Sequence, residues 1–221
     1  MRFCGQDQRT RFFKKPMQPT SIFLKHLIKR IMPSRRPDRV SDMRSYRFVA
    51  VIDCILNQNV RDCGAARFPA MNFELLQLCH EHNVGVLQMP CPEIAALGFK
   101  RARKSGQTIH AALDNDAGRR CCAELASAVA ERIEIYRAEG CELLAILGGN
   151  PRSPGCAVHV GNDDLLADSG VFMKELHAEL RNRKLETPFK GIRDHDPELL
   201  ERDLQWLRDV FLRQPSRGRG Q

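Results

Sequence analysis

Val84-Gly85-Val86-Leu87-Gln88-Met89-Pro90-Cys91-Pro92-Glu93 reads as a short buried strand that stops at a cysteine held between two prolines. Each proline fixes its own φ and removes a backbone N–H, so neither sheet nor helix runs through the cysteine. The thiol, and the carboxylate two residues later, are therefore presented on a rigid turn at a strand end. Two further cysteines, Cys54 and Cys156, follow apolar runs in a comparable way.

Upstream, Arg47-Phe48-Val49-Ala50-Val51-Ile52-Asp53 is a β-rich run that ends at Cys54. Between it and the second strand, residues 69–83 predict a helix with Phe73, Leu76 and Cys79 at helical spacing and Asn83 as its stop. Downstream, a short helix covers 94–99, and the basic stretch Lys100 to Thr108 reads as exposed. A long helix capped by Asn115 or Asp116 runs to Gly140, with Cys122, Leu125, Val129, Ile133 and Tyr136 on one face. Leu143 to Leu147 is a third strand, broken by Gly148-Gly149-Asn150-Pro151. A helix from about Ser169 carries Phe172, Leu176 and Leu180 inward. Pro188 to Arg193 is a fourth, shorter strand, and Asp196-Pro197 starts a last helix with Leu200, Leu204, Leu207 and Phe211 as its stripe.

Alternating strands and helices predict an α/β fold: a three-layer Rossmann-like open sheet, mostly parallel, of about four strands with helices on both faces. Ligands of such sheets sit beyond the carboxyl ends of the strands. Cys54, Cys91 and Cys156 each follow one of the first three strands, so they are expected to converge on one edge.

Charge divides the chain. Residues 1–47 hold 13 Lys or Arg against 3 acidic residues, a net of +10, whereas the remainder holds 22 basic and 24 acidic residues, a net of −2. We therefore read residues 1–45 as a basic flexible extension, 46–213 as the folded domain and 214–221 as a disordered tail. Ile22, Phe23, Leu27 and Ile31 give the extension one amphipathic stretch, and its charge allows weak contact with RNA or an anionic surface. The nine cysteines are not spaced as a small disulfide scaffold, and neither a secretion signal nor a membrane span is visible. A cytoplasmic location, with the cysteines as thiols or metal ligands, is the expectation.

Three thiolates suit a soft metal centre. Iron–sulfur clusters are usually held by four cysteines, so three leave one iron open. The alternative is that some of the three are small core residues, as free cysteine commonly is. Cys79, Cys121, Cys122 and Cys141 lie on or beside helix faces and read as packing residues, and Cys63 is a loop residue near the first strand end. Cys79-His80-Glu81-His82 reads as an ordinary polar helix end. His159, three residues after Cys156, is a candidate zinc ligand beside Cys91 and Cys156, a site-lining donor, or a loop residue without a role.

With these residues assembled, the chain resembles the thiouracil desulfurases and their related desulfidases, from about Tyr46 to Arg193. The resemblance rests on Asp53-Cys54-Ile55-Leu56-Asn57-Gln58-Asn59, on Met89-Pro90-Cys91-Pro92-Glu93 and on Arg152-Ser153-Pro154-Gly155-Cys156. It implies a [4Fe–4S] cluster held by Cys54, Cys91 and Cys156, whose open iron binds the sulfur of a small thiolated substrate while C=S is replaced by C=O. Glu93 is then the general acid/base, or a first-turn carboxylate that stabilises the helix after Pro92. Ser153 bonds the substrate or a cluster sulfide, or makes a local turn before Pro154. Asn57, Asn59 and Arg61 read the polar edge of the substrate, or satisfy their own loop. The chain departs from the desulfurase pattern at Gly155, where serine is usual, and at Ala157, where glycine is usual. Its segment after Cys54 is closer to the related desulfidases. Two other functions compete: a zinc-dependent hydrolase using Cys91, Cys156 and His159, and an RNA-associated sulfur or cluster carrier docked through the extension.

Overall fold

The computed structural model describes residues 42–161 and 164–213. The expectations for residues 1–41 and for the tail from 214 lie outside these. Four strands, β1 (Arg47–Ile52), β2 (Gly85–Met89), β3 (Glu142–Gly148) and β6 (Phe189–Gly191), form one sheet in the order β2-β1-β3-β6. Every pairing in it is parallel. Two-residue strands β4 (Val160–Gly161) and β5 (Asp164–Leu165) make a separate antiparallel hairpin, which the sequence pattern did not suggest.

The near-continuous apolar runs of β1 and β3 are those of strands covered on both faces, and Val49 to Ile52 and Ala145 to Leu147 are fully buried. One helical group contains α2 (Phe73–Glu81) and α7 (Pro197–Leu212), which touch each other as well as β2 and β3. A second group contains α3 (Pro92–Leu97), α4 (Ile109–Leu113), α5 (Asp116–Ala138) and α6 (Val171–Asn182). The doubly wound, Rossmann-like α/β plan expected from the sequence is the fold.

Local chemistry sets the helix starts. The Asn115 side chain accepts from the amides of Ala117 and Gly118, and Asp196 accepts from Glu198 and Leu199 ahead of Pro197. The helix expected over 69–83 begins four residues later, because Asn72 caps it by accepting from the Leu75 amide. That start rotates its face: Leu75, Leu78 and Cys79 are buried, and Phe73 is 64% exposed rather than inward.

Cys79 and Cys122 are core residues, and burial pushes both thiols up to about 12. Their protonated form is favoured in the folded state. The resulting stability is fully present below pH 9 and is lost as pH rises toward 12, because the unfolded thiols ionise first. Each should remove about 1.4 kcal/mol per pH unit over that window. Urea unfolding at pH 8 to 11 is expected to show the loss, with a shallower slope in Cys79→Ala.

Candidate functional site

The chain leaves β1 for β2 on one side and returns to β3 on the other, so the strand order reverses at the carboxyl ends of β1 and β3. A crevice at such a switch point is where open α/β sheets bind ligands. Cys54 lies in α1 (Asp53–Leu56), the single turn directly after β1. Cys91 is the residue that begins α3 after β2. Cys156 follows β3, and its carbonyl accepts from the amide of Gly149, just past the end of that strand.

The loop bearing Cys156 is gripped by the first turn of α6. The amides of Val171 and Phe172 donate to the carbonyls of Pro154 and Gly155, which uses two donors that a helix start leaves free. On its other side the loop presses on the Cys91 turn: a Cβ on Gly155 would stand 2.6 Å from Pro92 Cγ. Any side chain at Gly155 would force that contact to shift.

Cys54 and Cys156 are brought together, their sulfurs flanking the same space beside Gly149. A Cβ on Gly149 would lie 2.8 Å from the Cys156 sulfur and 3.5 Å from that of Cys54, so the missing side chain keeps space beside both. The neighbouring Cys156 thiol lowers the Cys54 thiol's pKa against the effect of burial, and the Arg61 guanidinium adds to the lowering. Cys156 is pushed well up, first by the neighbouring Cys54 thiol and then by burial. Cys91 is also raised, mainly by burial. It lines, with Asp53, Gln88, Pro90, Ile94 and Tyr136, an open cleft of about 610 Å³. Among the described residues, no group of three or more His, Cys, Asp and Glu side chains is gathered as a metal-holding set.

Glu93 and Ser153 stand beside Cys156. The Ser153 hydroxyl donates to Glu93 Oε1 at 3.1 Å, lies 3.0 Å from the Cys156 sulfur and accepts from the Cys156 amide at 3.3 Å. Glu93 Oε2 is held by Arg101 Nε at 3.1 Å. Glu93 is in the first turn of α3, and its carboxylate bonds these two side chains, one on each oxygen. The expectation that Lys100 to Thr108 is exposed fails at Arg101, which is 3% exposed.

The three polar residues after Cys54 are placed differently from one another. Asn57 caps the 3-10 turn Gln58–Val60, accepting from the amide and side chain of Asn59, and both asparagines are exposed. Arg61 is turned inward, its side chain 6% exposed, and donates to both carboxylate oxygens of Asp194, at 3.0 and 2.5 Å. Gln58 Nε2 ties the Cys54 carbonyl to the same carboxylate. Asp194 lies three residues beyond β6, so the fourth strand end also serves the site. The His159 ring meets the Pro151 carbonyl at 3.0 Å. Cys121 and Cys141 are half-buried, and Cys63 is exposed.

Arg101, Asp194 and Gln58 were not foreseen. The strand-end rule that selected the cysteines also reaches Asp194 when applied to the fourth strand. Nothing in the sequence separates Arg101 from the solvated cations around it. A larger cavity of about 780 Å³ lies at the amino end of β6 among His177, Arg181, Phe189, Lys190 and Trp206, and none of the three cysteines lines it.

The chain is 27% identical over 150 residues to an uncharacterized protein of Methanocaldococcus jannaschii, an alignment covering 68% of this chain and 86% of the relative. No protein-family model matches the chain. No solved structure matches it.

Proposed function

We propose that this protein is an iron–sulfur-dependent desulfidase, related to the thiouracil desulfurases, that converts C=S to C=O in a small thiolated compound. Water supplies the oxygen, and sulfur leaves as hydrogen sulfide. The observation that carries the reading is that the sulfurs of Cys54 and Cys156 flank one space at the switch point of the sheet, with the Glu93–Ser153 pair against Cys156. The donor set suits the group in kind: three thiols follow three strand ends, and the sulfurs of Cys54 and Cys156 flank the space that Gly149 keeps clear, although the three are not gathered as a closed set. Cys54, Cys91 and Cys156 would hold the cluster, which when bound supplies a thiophilic iron as Lewis acid for the substrate's sulfur.

The chain's own residues supply the proton chemistry. Glu93 is a carboxylate with one oxygen fixed by a cation and the other turned to Ser153, which suits it to take a proton from attacking water and return it to the leaving sulfur. Ser153 carries an exchangeable hydroxyl proton between the carboxylate and the Cys156 side of the site. The cleft beside Cys91 and Asp53 is large enough for a nucleobase-sized substrate.

Anaerobic purification followed by a visible spectrum and by iron and sulfide analysis tests the cofactor, and sulfide release from thiouracils tests the reaction. A colourless, iron-free protein after full reconstitution would overturn the reading. With the cluster in place, Glu93→Gln is expected to slow sulfide release by about 10²–10⁴-fold while iron content holds. Loss of iron in step with activity would instead make Glu93 a structural residue.

A further inference from the structure

We propose that Arg101 is the positioning residue for Glu93, fixing the carboxylate against Ser153 and locking the loop after Cys54 to the turn after Cys91. The proposal rests on the desulfidase reading for what Glu93 does, and on geometry alone for what Arg101 holds.

Arg101 sits in Gly98-Phe99-Lys100-Arg101-Ala102-Arg103-Lys104, a run whose other cations are exposed. Only its guanidinium is taken inside. A buried guanidinium is tolerated when its donors are matched, and here each nitrogen has its own acceptor. Nε donates to Glu93 Oε2 at 3.1 Å, Nη1 to the Phe99 carbonyl at 2.8 Å and Nη2 to the Val60 carbonyl at 2.6 Å. Val60 closes the turn that follows Cys54, whereas Glu93 follows Cys91, so one side chain spans two of the cysteine-bearing segments.

The backbone at Arg101 is left-handed, with φ at +48°. A non-glycine residue is held in that region when its surroundings over-determine it, and such residues cluster at functional sites. The strain aims the side chain back at Glu93. The carboxylate is then gripped from two directions, by Arg101 on Oε2 and by Ser153 on Oε1. A lysine could not serve all three acceptors, because its ammonium is a single point of charge without the planar fork.

The test compares Arg101→Gln, Arg101→Lys, Arg101→Ala, Glu93→Gln and the double variant Glu93→Gln/Arg101→Gln. Iron per chain, sulfide release from thiouracil and urea unfolding of the iron-free protein are measured for each. We expect Arg101→Gln to keep iron within about twofold of wild type and to slow sulfide release about 10²-fold. Arg101→Lys should be equally slow, and added guanidinium ion should recover at least tenfold in Arg101→Ala. The double variant should be no slower than Glu93→Gln, since residues acting as a unit are not additive. A double variant slowed by the product of the two single effects would overturn the proposal. In the iron-free protein, the unfolding midpoint of the double variant should be no lower than that of the worse single variant. Independent, additive shifts would overturn it there. A wild type without iron or sulfide release defeats the desulfidase reading, and the unfolding cycle then still decides whether Arg101 holds Glu93.

Discussion

Cys91→Ser is expected to leave the protein folded, colourless and inactive. Anaerobically purified wild type should carry about four iron and four sulfide per chain, and the variant less than about one of each. Sulfide release from thiouracil should fall at least 100-fold, since even partners behind a ligand change metal affinity or activity by about 10–100-fold. Serine is nearly isosteric with cysteine, but its hydroxyl is a hard donor that resists deprotonation, so the substitution removes the soft thiolate and little else. The 8% exposed position at the start of α3 accepts a hydroxyl readily, because serine is a favoured residue before a helix. Cys63→Ser is the matched control: Cys63 is exposed in the loop after β1, and its variant should keep iron and activity. Equal iron in Cys91→Ser and wild type would remove Cys91 from the ligand set.

Cys91 and Arg101 differ in how much of their placement the amino-acid pattern carries. Cys91 was legible because two prolines stop a strand at a defined residue, and parallel sheets place such ends along one edge. The same logic located Cys54 and Cys156, and the 3.6-residue patterns located α5, α6 and α7. Arg101 was illegible because burial of one cation among several depends on an acceptor set supplied by Val60, Phe99 and Glu93. Phe73 failed for a different reason: the apolar period was seen, but the cap at Asn72 fixes which residues begin it. The β4–β5 hairpin was missed because two-residue strands carry no usable alternation.

Arg61 is the residue whose role the structure alters most. As a sequence feature it offered an arginine to a substrate, but its guanidinium is committed to Asp194 and the Ala65 carbonyl, and its charge lowers the Cys54 thiol's pKa. Asp194→Ala is therefore expected to lower stability by about 3–5 kcal/mol, the penalty for leaving one member of a buried pair uncompensated. The Asp194 side chain is fully buried and that of Arg61 nearly so, which puts the pair in the regime where this penalty applies. Replacing both, as in Arg61→Met/Asp194→Leu, should recover most of the stability, because an apolar pair of similar volume can substitute for a buried ion pair. Function should not recover with it. The guanidinium is a cation whose charge favours the thiolate of Cys54, and without it that thiolate, a ligand under the proposed reading, is less well compensated. The double variant should thus unfold near the wild-type urea midpoint yet bind iron about 10–100-fold more weakly, as expected for a group just behind the ligands. Wild-type iron retention in that variant would make the Arg61–Asp194 pair a structural cross-link between the first and fourth strand ends. Weak retention at restored stability would make it part of the site's electrostatics.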